Sequence, residues 1–167
     1  MVISIIAILA GVVITSIAPA RKKGRDAQRV SDLANIRIAL AIYKSQKGTY
    51  PISDFGEGLG WAMSKSGSSR VRNRWASLTT ELVPYLTLPL DPLDTGLRYP
   101  YQVGSNYHYA YRSDSIGAKY DLIAQFEDTK NPNRCEVKNW KRHTVSPESP
   151  WCQPWGGPFS PYLYADH

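Results

Sequence analysis

The chain is poor in sulfur and in histidine, with two Cys, two Met and three His among 167 residues. No His or second Cys pair stands near Cys135 or Cys152 at zinc-ligand spacing, so the sequence argues against a metal site. None of His108, His143 and His167 has a Ser or Cys beside it in a nucleophile arrangement. No glycine loop has phosphate-cradle spacing, and no Asn-x-Ser/Thr sequon occurs. Asp91, Asp94 and Asp114 lack the dense carboxylate spacing of a calcium loop and read better as turn formers. The sequence therefore predicts no cofactor and no enzymatic activity. Structure and assembly are the functions left open.

Charge is missing in one place of consequence. Met1 to Ala20 carries none, and Arg21, Lys22 and Lys23 follow directly. At 1.5 Å per residue such a helix spans the ~30 Å hydrocarbon core of a bilayer. Val2, Ile3, Ile5, Ile6, Ile8, Leu9, Val12, Val13, Ile14 and Ile17 supply its apolar surface. Ser4, Ala7, Ala10, Gly11 and Ser16 let neighbouring helices approach closely. Gly11 and Pro19 weaken the backbone hydrogen bonding between them, which makes that stretch the expected place for local melting. The small triplet Ala18-Pro19-Ala20 also suits a secretory cleavage site. Against that, the run is long for a signal peptide and no positive charge precedes it.

From Arg21 to Lys47 the periodicity is helical. Ala27, Val30, Ala34, Ile38 and Ala41 share one face, flanked by Leu33 and Ile42. Ile36 and Tyr43 define a narrower strip elsewhere. One strip is expected to hold the rest of the chain and the narrower one to meet neighbouring chains; a helix mostly buried in its own domain is the alternative. Lys22 with Asp26, and Arg29 with Asp32, are helix-spaced ion pairs. Gly48 is a natural stop before Tyr50-Pro51.

The head that follows is rich in turns, the whole chain holding 12 Gly and 12 Pro. Gly56 to Ser69 reads as a loop pinned by Trp61 and Met63. Trp75 to Leu86 suits a short helix capped by Ser77. Asn106 to Ser113 alternates, with Tyr107, Tyr109 and Tyr111 on one face; Lys119 to Glu127 does the same with Tyr120, Leu122, Ala124 and Phe126. Asp114 to Ala118 would be the turn of an antiparallel hairpin, and Pro100 to Val103 a third strand at its edge. The division expected is a helix over 1–48, in an apolar half (1–20) and an amphipathic half (21–48), and a head over 49–167. Within the head lie a loop and short helix (49–105), the hairpin (106–128) and a cysteine-bracketed region (129–167).

Behind a membrane or export segment, Cys135 and Cys152 are best read as a disulfide, with two free thiols as the alternative. Closing that loop contributes about 3 kcal/mol in the chain-entropy account. The net charge of +6 reads first as a solvated basic surface. Arg70, Arg72 and Arg74 beside the Gly/Ser loop, and Lys138, Lys141 and Arg142 within the cysteine loop, are the residues that would contact DNA or another polyanion, weakly.

A family resemblance rests on the N-terminal residues. Val2-Ile-Ser-Ile-Ile-Ala-Ile-Leu-Ala-Gly, then Arg25-Asp-Ala-Gln-Arg-Val-Ser-Asp-Leu-Ala-Asn-Ile-Arg-Ile-Ala-Leu and the closing Tyr50-Pro51, resemble the N-terminal helix of type IV pilins and type II secretion pseudopilins. Leu88-Pro-Leu-Asp-Pro and the strands at Tyr107 and Tyr120 look like the head of a major pilin-like subunit. The resemblance implies an α+β fold, a long N-terminal helix packed on a small antiparallel sheet. It implies a subunit held in the inner membrane, then passed by the pilus assembly machinery into a helical homopolymer at the cell surface. The ten apolar residues from Val2 to Ile17 would form the filament core. Adhesion, motility, DNA uptake and attachment to a partner all use such filaments. Family members carry a processed, methylated end and a glutamate ahead of the matching region. No residue here corresponds to either, so the resemblance implies a natural start upstream of Met1. A secretion pseudopilin and a membrane-anchored or secreted monomeric binding protein are the alternatives.

Overall fold

The computed structural model describes residues 2–54, 60–102, 104–138, 140–145, 147–151 and 163–166, without the side chains of 2–16 and 166. Helix α1 runs from Val2 to Lys47, about 70 Å at the usual rise. In the single chain it runs without a break through Gly11 and Pro19. Gly48 ends it at φ +83°, its N–H donating to the Lys44 carbonyl at 2.8 Å. A left-handed residue is what this stop requires, and glycine adopts it without a side-chain clash. Lys44 and Lys47 in the last turn complement the negative end of the helix dipole.

The head is built on a four-stranded antiparallel sheet in the order β1 (Ala62–Met63), β2 (Ala110–Ser113), β3 (Tyr120–Gln125), β6 (Leu163–Asp166). The hairpin β2–β3 pairs Ala110 with Ile123 and Ser113 with Tyr120. Asp114 closes its turn by accepting the Ala118 N–H at 2.8 Å. Gly117, at φ +64°, accepts the Tyr50 N–H on its carbonyl at 2.8 Å. A Cβ there would lie 2.6 Å from the Tyr50 carbonyl oxygen, so the close seat of the turn on the end of α1 needs glycine.

Alternation along β2 and β3 sorts the core into two layers. Tyr109, Tyr111, Tyr120, Leu122, Ala124 and Phe126 pack toward Leu33, Ile36 and Leu40 of α1 and Trp75, Leu78 and Leu82 of α2 (Ser69–Leu82). On the other side Ala110 and Ile123 meet Trp61, Met63, Val71, Cys135, Trp151, Leu163 and Ala165. Helix α3 (Cys135–Lys138) and a small pair, β4 (Lys141–Arg142) with β5 (Ser149–Pro150), belong to this outer side. The hairpin is thus buried on both faces.

Three expectations need correction. Helix α2 starts at Ser69, well before Trp75, because Val71, Trp75, Leu78 and Leu82 form one continuous buried stripe. Residues 99–102 make a turn, with the Gln102 N–H on the Tyr99 carbonyl at 2.9 Å, and among the described residues of 100–103 only an isolated bridge at Gln102 stands where a third strand was expected. The hairpin is flanked instead by β1, inside the stretch read as loop, and by β6, inside the irregular tail. Short strands of this kind show no periodicity, since two to four residues are too few to establish one.

Candidate functional site

The described residues of greatest consequence lie along α1, whose two sides do different work. On the inner side Asp26, Arg29, Leu33, Ile36 and Leu40 are all buried, at alternating spacings of three and four that keep one helix face inward. Arg29 is fully buried at the centre of an ionic seam. Its Nε and Nη2 donate to the two Asp91 oxygens at 2.6 and 2.8 Å. Nη1 donates to Asp26 at 2.7 Å and to Glu127 at 2.8 Å. Arg25 forks onto the same Glu127 at 2.7 and 2.6 Å. Asp26 in turn accepts the backbone N–H groups of Glu127 and Asp128 at 2.9 and 2.8 Å. The Tyr107 ring lies 4.9 Å from the Arg29 guanidinium carbon, and Tyr109 donates to Asp32 at 2.6 Å.

Burial alone would lower the Arg29 pKa, but hydrogen bonds and charge from Asp91, Glu127 and Asp26 outweigh it and hold the guanidinium protonated. Burial pushes Glu127 upward, while Arg25 and Arg29 overcome it and leave the carboxyl below its ordinary value. Every strong partner is satisfied, the condition under which a buried ion pair fixes geometry without a large net penalty. The seam sets where α1 sits on the head, in rotation and in register.

The helix-spaced pairs expected from the sequence are replaced: Asp26 binds Arg29 and two backbone amides, and Asp32 binds Tyr109. The assignment of the two strips is also reversed. Ile36 is buried and Tyr43 half-buried, donating to Glu81 at 2.7 Å, so the strip reserved for neighbours holds the head. The wider strip, apart from its flanking Leu33 and the half-buried Val30, faces outward. Ile38 is 55% exposed and Ile42 40%, with Ile17 at 39%. Ala20, Gly24, Ala27, Ser31 and Ala41 are exposed between them, and Ala34 is half-buried. The signal that could have found the inner face was Arg29 itself, a charge in register with Leu33, Ile36 and Leu40. An open groove of about 740 Å³ borders this outward side, lined by Pro19, Lys23, Ala27 and Val30 of α1 and by Asp128, Lys130 and the Asn131-Pro132-Asn133 turn.

Of the proposed filament-core residues only Ile17 has a described side chain; Val2, Ile3, Ile5, Ile6, Ile8, Leu9, Val12, Val13 and Ile14 lie on α1 with side chains outside the description. Among the described residues, no helix is long and apolar enough to cross a membrane. Cys135 is fully buried at the start of α3, and Cys152 lies outside the described residues. The basic clusters are only partly as expected. Arg70, Arg72 and Arg74 sit on α2, outside the loop. Arg70 and Arg72 are exposed, Arg72 donating to the Ser66 carbonyl. Arg74 is buried, against the backbone of Gly60, which removes it from any outward cluster. Lys138 and Lys141 are exposed, and Arg142 is half-buried over the Trp151 ring at 5.0 Å.

Asp91 belongs to the seam, Asp114 to the hairpin turn, and Asp94 lies 3.5 Å from Lys65. Among the described residues, no group of three or more His, Cys, Asp or Glu is placed to hold a metal ion. His108 is fully buried on the Thr95 carbonyl at 3.3 Å, and His143 lies beside Glu148 at 3.2 Å. Comparison with family models, curated proteins and solved structures finds no match for this chain.

Proposed function

We propose that this chain is the structural subunit of a type IV pilus-like surface filament, a major pilin, polymerising through α1. The observation that carries the reading is the outward face of that helix. Ile38 and Ile42 stand in solvent on the side opposite Leu33, Ile36 and Leu40. A helix serving only its own head has no physical reason to keep that apolar stripe. Its small residues let a second helix approach closely, and the stripe continues the uncharged run of Met1 to Ala20.

In this reading the subunit waits in the inner membrane, and assembly exchanges lipid around the apolar half for the helices of other copies. Repeated heterologous contact that does not close produces an open filament. Cys135 and Cys152 pair within one chain and fix the aromatic tail on the outer layer. Weak contact with DNA or anionic surface polymers is a subsidiary property of the basic head. A secretion pseudopilin would use the same helix and differs in the length of the assembly.

Electron microscopy of material sheared from cells producing the chain tests the proposal. Long fibres that label with antibody against the head are expected. Absence of fibres together with loss of protein secretion on deletion would favour the pseudopilin. A monodisperse single chain in both membrane and shear fractions would overturn both.

A further inference from the structure

The outer face of the sheet holds an arrangement that neither the ionic seam nor the helix contacts use. Trp61, Tyr99, Tyr101 and Trp151 form one aromatic group. The Tyr99 and Tyr101 rings stack at 5.0 Å and 8°, and Trp151 lies 5.5 Å from Tyr101 and 5.7 Å from Trp61. The two tyrosines are half-buried, leaving part of each side chain accessible. Arg142 covers Trp151 at 5.0 Å. Arg112, two residues beyond the buried Ala110, lies on the same sheet face, and its ladder partner Asp121 accepts from the N–H groups of His143 and Thr144, next to Arg142 in the chain.

Neither arginine has a carboxylate among the described residues. Asp121, across the ladder from Arg112, is already engaged by the N–H groups of His143 and Thr144 and by the Thr144 hydroxyl. The Nε atoms of Arg112 and Arg142 are buried without a hydrogen-bond partner. So is the Nε1 of Trp151, a side chain only 1% exposed. A buried donor without an acceptor is costly, and two cations without a paired carboxylate leave uncompensated charge on this face. The two defects are relieved together by one kind of group, an anion with several acceptor oxygens.

We propose that Arg112, Arg142, Tyr99, Tyr101 and Trp151 form a binding shelf for single-stranded nucleic acid. Phosphate oxygens accept from the two guanidinium groups, and an unpaired base stacks on the exposed tyrosine surface. Base stacking on aromatic side chains tolerates sequence, and phosphate contact makes binding salt-dependent. Duplex DNA keeps its bases stacked on one another and offers the shelf phosphates alone. The inference narrows the weak polyanion contact of the filament reading to one site and one ligand class. It applies to the single subunit, so it stands or falls without assembly.

The test is titration of the full chain, held in a nonionic detergent, with a short oligothymidylate while tryptophan fluorescence is followed. Quenching is expected at low salt. Binding should weaken about tenfold or more in Arg112→Gln, in Arg142→Gln and in Tyr99→Leu, and less in Arg112→Lys. A thermal melt unchanged from wild type shows that a variant is folded. Duplex DNA and inorganic polyphosphate of equal charge should bind at least about tenfold more weakly. No quenching by the oligonucleotide would overturn the proposal, as would wild-type binding by all three weakened variants. Equal binding of polyphosphate would show that charge alone is read. Preferential binding of an acidic polysaccharide would assign the shelf to glycans.

Discussion

The inner and outer sides of α1 carry comparable apolar residues and have different surroundings. Leu33, Ile36 and Leu40 are excluded from water, while Ile38 and Ile42 on the same turns are 55% and 40% exposed. Hydrophobicity alone does not select between the two sides. The choice is made by charge: Asp26 and Arg29 stand on the inner track and find Asp91, Glu127 and two backbone amides there. Rotating α1 to bury Ile38 would strand those groups in an apolar seam or withdraw them from their partners. A polar network of this kind specifies one packing among several that are hydrophobically similar.

The largest expected effect comes from removing the hub. Arg29→Met leaves Asp91 and Glu127 buried without their shared cation and should destabilise the head by about 3–5 kcal/mol in urea denaturation. Replacing Arg29 and Asp91 together with apolar residues should recover part of that loss. The contrast between the two sides is tested next. Leu33→Ala should cost about 2–5 kcal/mol, whereas Ile38→Ala, five residues on, should stay within about 0.5 kcal/mol in the same single-chain measurement. Equal losses would mean that Ile38 is not free of its own head.

The sheet's outer layer gives a third comparison. Cys135→Ser should destabilise by about 2–4 kcal/mol if Cys135 and Cys152 are bonded. Peptide mass spectrometry without reduction should find them linked. Free thiols in oxidised material would contradict it.

The smallest effect is that of pH. Burial holds His108 below its ordinary value of 6.5, and the arginines hold Glu127 below 4.5. In both cases the folded chain binds fewer protons than the unfolded one, so stability falls as pH falls. The His108 loss begins below pH 6.5 and the Glu127 loss below 4.5. Asp32, raised by burial, works in the opposite direction at the acid end. A melting curve against pH should show a shallow first decline that His108→Gln removes.

Much of this architecture was legible in the sequence, because the signals were long. An uncharged run joined to an amphipathic one reads as α1, and two alternating stretches separated by a turn read as β2 and β3. The sides of α1 were not legible, since both are apolar and the deciding partners, Asp91 and Glu127, lie 62 and 98 residues from Arg29. Helical spacing instead suggests Asp32 as the partner of Arg29, a local pair that loses to the long-range one. Arg74 was misjudged for a related reason. In sequence it belongs with Arg70 and Arg72, but on α2 it lies beside Trp75 in the buried stripe, while Arg70 and Arg72 remain at the surface.

The central claim is that the outward stripe of α1 is kept for another copy of the chain. The most direct measurement compares Ile38→Asp with wild type, in urea denaturation of the single chain and in electron microscopy of sheared surface material. The account predicts unchanged unfolding and loss of fibres. Fibres of normal length and number from Ile38→Asp, in a subunit that unfolds like wild type, would contradict it.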